Sequence, residues 1–118
     1  MAQKRILIVD DDPSVLFCST HDRYTYPGTG DPGLIGQGDG EGYNLNIHLD
    51  CGADDHDFLG AFDTKILPAA EEFKPDFILI SAGFDSRKYD LLGCFAITDD
   101  GFAQATKRLM DLADSHCE

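Results

Sequence analysis

Cationic side chains are scarce in this sequence. Nine Lys and Arg face 22 Asp and Glu in 118 residues, giving a formal net charge of -13 and a pI near 4.3. Neutralising phosphate takes clustered Lys and Arg, and no basic stripe occurs, so direct binding to nucleic acid or an anionic membrane is excluded. Long hydrophobic runs are missing too. Ile6 to Val9, the longest near the start, is too short for a membrane span or a signal-peptide core, and a cytoplasmic chain is expected. Cys18, Cys51, Cys94 and Cys117 form no C-x-x-C pair and have no His at finger spacing. Neither a zinc knuckle nor a disulfide framework is indicated, and buried or idle thiols are expected. Glu is nearly absent from the acids, with 18 of the 22 being Asp. Asp is a poor helix-interior residue, so the acidity points to loops, helix starts and metal shells.

What is present is the composition of a soluble globular domain, 42% hydrophobic and 26% charged. A strand is expected over residues 5–10, where a charged lead-in precedes the apolar run Ile6 to Val9. A second is expected over Ser14 to Thr20, after an Asp11-Asp12-Pro13 turn. Seven glycines lie between Gly28 and Gly42, so a long shaped loop replaces any regular element there. It lacks G-K-S/T and leads into a strand, which excludes a phosphate cradle. That strand, Tyr43 to Leu49, alternates apolar residues with Asn44, Asn46 and His48 in the pattern of a half-buried strand.

Beyond Asp54 and Asp55, Phe58, Phe62, Ile66 and Phe73 recur at helical spacing, with a kink or break expected at Pro68. Phe77 to Ile80 reads as a fully apolar strand ending in Ser81-Ala82-Gly83-Phe84-Asp85, and that end is where open α/β sheets bind ligands. Thr98 caps a last helix, with Asp99 and Asp100 in its first turn and a stripe of Phe102, Ala105, Leu109 and Leu112. The order implies an α/β fold with a mostly parallel sheet, in one domain over residues 1–118.

Two resemblances bear on function. Lys4 to Pro13 (KRILIVDDDP) resembles the opening strand of response-regulator receiver domains, but Ser81 stands where their acceptor Asp would be and no switch Thr and Lys pattern follows. From about Pro13 to Glu118 the chain resembles the zinc-dependent histone deacetylase family, including its acetoin-utilisation and acetylpolyamine amidohydrolase relatives. The segments that carry this are DPSVLFCSTH at 12–21, YPGTGD at 26–31, GEGYNLNIHL at 40–49, PAAEEFKPDFILISAGFD at 68–85 and DLLGCFAITDDGF at 90–102.

That resemblance implies part of an arginase-deacetylase-like three-layer fold, and hydrolysis of N-acetyl amides on lysine or a polyamine. It implies zinc as cofactor, with Asp85 and Asp12 as candidate ligands. Asp10 and Ser19 are candidates for a secondary monovalent-cation site, and Tyr26 for the wall of the acyl-lysine tunnel. Asp90 is expected to serve loop structure, and His21 and His48 to be ordinary loop or strand residues.

The chain departs from the family where zinc should be built. Val9-Asp10-Asp11-Asp12-Pro13 directly joins two segments that a D-x-D-x-H-H-G stretch separates in relatives, so the zinc His is missing and Asp12 could belong to either side. The family's catalytic His pair and its transition-state Tyr also find no match, and Glu41-Gly42-Tyr43 belongs to a different motif. Zinc binding is therefore expected to be weak or absent, and the chain inactive or nearly so. The competing expectation is a non-catalytic remnant that serves as an interaction module and self-associates through strands left without neighbours.

Overall fold

A computed structural model describes residues 12–24 and 28–118. The strand expected over residues 5–10 lies outside them, as do Asp10 and Tyr26. Strand β1 spans Phe17–Asp22 and β2 spans Asn44–Leu49, paired in parallel from Phe17 opposite Asn44 to Asp22 opposite Leu49. β1 thus starts three residues later than the β-branched run suggests, because Asp12 to Val15 are tied into a turn by a Val15 N–H bond to the Asp12 carbonyl. Parallel neighbours need a long crossover, usually a helix. Here the glycine loop serves instead, and it carries a 3-10 turn at Gly38–Gly40.

β2 is not half-buried. Asn44 and Asn46, on the face expected to be wet, are each only 8% exposed. The crossover folds back over that face, as described below.

The long helical stretch after β2 starts where the Asp pair indicates. The Asp54 side chain accepts the Asp57 N–H and the Asp57 side chain accepts the Asp54 N–H, a reciprocal cap on α1 (Asp55–Ala61). The break expected at Pro68 takes the form of a π-helical stretch, Phe62–Ile66, which runs on into α2 (Leu67–Phe73). The Leu67 N–H bonds back five residues to Phe62 O, and the widened turn sets Pro68 into the first turn of α2, where its missing donor costs little. Lys74, at φ 55°, ends α2 in the left-handed conformation before Pro75. α3 (Asp99–His116) is capped by the Thr98 hydroxyl, which accepts the Gly101 N–H.

The core lies where α1 packs against both β2 and α3. Ile47, Phe58, Phe62, Ile66, Ile97 and Ala105 are buried there, and Phe95, Phe102 and Leu109 pack around them. Phe58 meets both Phe62 and Phe102 edge-on at ring separations of 5.0 and 5.8 Å. Asp55, at the start of α1, accepts the Thr98 N–H at 2.7 Å and its hydroxyl at 2.5 Å, so the starts of α1 and α3 are locked together.

One expected strand does not form. Phe77 to Ile80 has no strand pairing among the described residues, and Phe77 and Leu79 are 78% and 86% exposed. Apolar composition states a demand for burial. A strand also needs a neighbour's backbone, and the described residues offer none.

Candidate functional site

Three strand residues anchor the glycine loop. The side-chain amide of Asn44 donates to Leu34 O at 2.6 Å, and that of Asn46 donates to Leu34 O at 3.1 Å and to Asp31 O at 3.3 Å. His21 Nε2 lies 2.8 Å from Gly30 O, which only accepts, so Nε2 carries the proton. Nδ1 then accepts from the Ser19 hydroxyl at 3.0 Å. Gly30 has φ +85°, and a Cβ there would stand 2.5 Å from His21 Nε2, so glycine is required by backbone angle and by space alike. His48 stacks edge-on against His21 at 5.0 Å and accepts a bond from Arg23 Nε at 3.2 Å. Both histidines thus hold structure. The two asparagines carry one signal in the sequence, their position opposite the apolar parity of the strand that follows the loop.

Asp85 sits in a 3-10 turn, Phe84–Ser86, and not at the end of a paired strand. The turn is closed without it. Arg87 N–H bonds to Phe84 O, and the Ser86 hydroxyl donates to Gly83 O. Gly93 packs so closely beneath that a Cβ would overlap the Asp85 carbonyl oxygen. Asp90 ties the far end of the loop by accepting the Leu92 and Gly93 N–H groups at 2.8 and 3.0 Å, and those bonds hold its carboxyl below the usual range. Asp90 is therefore a loop residue. The Asp85 carboxylate is exposed and makes no hydrogen bond or ion pair among the described residues.

Asp12 is exposed at the entry to β1 and accepts the Ser14 N–H at 2.9 Å, a bond that lowers its pKa. Ser19 is occupied with His21. A protein zinc site takes three or four N, S or O ligands from converging side chains. Among the described residues no group of three or more His, Cys, Asp or Glu side chains converges in that way. The donors described here therefore do not constitute a zinc site.

The four cysteines are all free and differ in exposure. Cys18 is packed against the core, where burial pushes its thiol up to about 11, but Cys51 is exposed. It sits in the turn after β2, beside Cys94 and a recess of about 410 Å³ lined by His48, Asp50, Gly52 and Asp57. No helix among the described residues is long and apolar enough to cross a membrane.

The loop, strand pair and Asp85 turn form part of an α/β domain, and comparison with known proteins specifies which. The histone deacetylase domain model matches residues 6–118, a stretch that includes most of the segment resembling a receiver strand. A probable deacetylase of Archaeoglobus fulgidus is 44% identical over 92% of this chain and 30% of its own length. Histone deacetylase 10, chloroplastic, of Oryza sativa subsp. japonica is 39% identical over 97% of this chain and 29% of its own. The crystal structure of the HDA15 HD domain superposes with a TM-score of 0.82 at 41% identity, covering 87% of this chain and 30% of that one. This chain belongs to the histone deacetylase family and has its arginase-deacetylase fold. It spans under a third of the length of these relatives. The rice alignment runs over 128 residues, more than this chain has, so that relative carries residues within the aligned stretch that this chain lacks.

Proposed function

We propose that this chain is a segment of a deacetylase-type hydrolase whose substrates are N-acetyl-lysine or acetylpolyamine amides, and that these 118 residues alone do not turn them over. The observation that carries the reading is the family match over residues 6–118, which spans the anchored glycine loop and the Asp85 turn. The loop is held from behind by Asn44, Asn46 and His21, so its outer side is available to a substrate chain, and Tyr26 is proposed as its tunnel wall. Asp85 is proposed as a metal-facing carboxylate because no internal bond occupies it. Asp12 and Asp10 are proposed as the residual acids of the joined region, and Ser19 as a secondary-cation ligand through the lone pairs that His21 leaves free.

Hydrolysis of an amide by this route needs a polarised water, a base for its proton and a donor for the oxyanion. The described residues assemble none of the three, which is why turnover by the chain alone is not expected. Purified chain with added zinc should leave an acetyl-lysine reporter uncleaved above the rate of zinc in buffer. Zinc-dependent cleavage that Asp85→Ala leaves unchanged would refute both the inactivity and the role of Asp85.

A second reading is favoured by one observation: Phe77, Leu79 and Leu91 are 78%, 86% and 99% exposed on a small chain. Such surface promotes association. Sedimentation should show dimers or larger species growing with concentration, whereas a monomer at high concentration would remove the interaction-module reading.

A further inference from the structure

Cys51, Cys94 and Asp22 meet at a point that the deacetylase reading does not use. Two backbone bonds bring the turn after β2 alongside the segment before α3: Gly52 N–H to Cys94 O and Ala96 N–H to Ala53 O, both 2.8 Å. Asp54 and Ala96 form a parallel bridge one step further on. The two cysteines are thus held on directly apposed backbone although 43 residues separate them in sequence. Cys51 Sγ lies 3.6 Å from Cys94 O, and Cys94 Sγ donates to Asp22 Oδ2 at 3.2 Å.

We propose that Cys51 and Cys94 form a reversible dithiol-disulfide modification site, oxidised by a low-molecular-weight disulfide of the glutathione class. Cys51 is the exposed member and the entry point. Its thiolate attacks one sulfur of oxidised glutathione. The glutathione S–S bond breaks, Cys51 becomes joined to one glutathionyl group, and the other leaves and takes up the proton that Cys51 released. Cys94 then passes its proton to the Asp22 carboxylate and attacks the Cys51 sulfur. The 51–94 bond forms, and the second glutathione leaves and takes up that proton. Two protein thiols are oxidised and one glutathione disulfide is reduced to two thiols.

The order follows from the surroundings of each sulfur. The neighbouring Cys51 side chain, then burial, then the Asp22 carboxylate push the Cys94 thiol up to about 12, so it is a poor first nucleophile. It acts only on a partner already held beside it, where attack is intramolecular. Cys18 and Cys117 are set apart, the first packed against the core and the second donating to Pro75 O at 3.2 Å. In a reducing compartment such a pair is a transient sensor and not a permanent staple.

The test equilibrates the 118-residue chain, free of oxygen, in glutathione buffers of rising oxidised fraction, followed by acid quench, intact mass and a non-reducing tryptic map. The four cysteines fall on four different tryptic peptides. The expected product has lost two hydrogens, with peptide 24–65 joined to peptide 89–107. Cys94→Ser should stop at one glutathione adduct on Cys51, and Cys51→Ser should leave Cys94 unmodified. The oxidised wild type should melt several degrees higher, because the bond closes a long loop in the unfolded chain. A wild type that stops at the glutathione adduct, or a cross-link joining any other pair, would overturn the proposal. Neither outcome bears on the hydrolase reading, which uses neither thiol.

Discussion

Removing the Asp55 carboxylate should uncouple the starts of α1 and α3. Its two oxygens accept both the N–H and the hydroxyl of Thr98, and Thr98 is itself the cap of α3. Hydrogen bonds to a charged group contribute about 1.5–3 kcal/mol each, and water recovers part of that at a half-buried site. Asp55→Ala is therefore expected to cost roughly 2–4 kcal/mol. Thr98→Val keeps the backbone bond but loses the hydroxyl bond and the cap, a loss of about 1–2 kcal/mol. Because the two residues share one interaction, the double variant should lose less than both singles together, with a coupling of about 0.5–1.5 kcal/mol.

The same junction explains Gly101, where a Cβ would overlap the Asp55 carboxylate, so Gly101→Ala should cost roughly 1–3 kcal/mol. Urea unfolding followed by far-ultraviolet circular dichroism reads these losses. With an m-value of about 1–3 kcal/mol per molar, Asp55→Ala should lower the midpoint by roughly 1 M or more. A midpoint unchanged in Asp55→Ala would show that the junction contributes nothing to stability, and single losses that simply add would show that the two residues do not act on each other.

Gly30→Ala should cost about 1–3 kcal/mol and shift the amide resonances of the glycine loop, since it meets both a positive φ and the His21 ring; spectra unchanged outside residue 30 would refute the clamp. The folded-state pKa values of Asp54 and Asp63 are depressed, Asp54 mainly by the Asp57 N–H and Asp63 mainly by its bond to Arg108. A depressed carboxylate contributes stability in full above its unfolded value of 3.8 and loses it as pH falls through the lower folded value. Stability should therefore fall below about pH 4, and Asp54→Asn with Asp63→Asn should flatten that slope in urea titrations; an equal slope in the double variant would contradict the assignment. Asp90→Ala should release the Leu92 and Gly93 amides, seen as faster hydrogen exchange at those two positions and not in α1.

What the sequence made legible was local. Thr98, Asp54 and the acids after them name two helix starts because a cap is a contact over three residues, and the positions of seven glycines suffice to forbid a strand or α-helix from Gly28 to Gly42, where a short 3-10 turn forms instead. The motifs around the glycine loop and Asp85 were distinctive enough to identify the family.

What failed was non-local. Alternation in β2 was read with one face toward water, but the crossover covers that face, and Asn44 and Asn46 are buried because they supply the donors its carbonyls need. The apolar residues from Phe77 to Ile80 promised a strand, yet no pattern within a segment states whether a neighbouring backbone is present. At Pro68 the break was foreseen but not its form, since a π-helical stretch leaves no mark in composition. Cys51 and Cys94 looked unrelated because the contact between them is made only by the fold.

The most direct test of whether this chain carries a deacetylase segment is a graft. Residues 14–118 would replace the aligned stretch of the Archaeoglobus fulgidus relative, and the chimera would be assayed on an acetyl-lysine reporter. The chimera should cleave the reporter, and Asp85→Ala within it should lower the rate at least about a hundredfold while leaving the fold intact by circular dichroism. A folded chimera that is inactive, or one whose rate is the same with and without the Asp85→Ala substitution, would contradict the assignment.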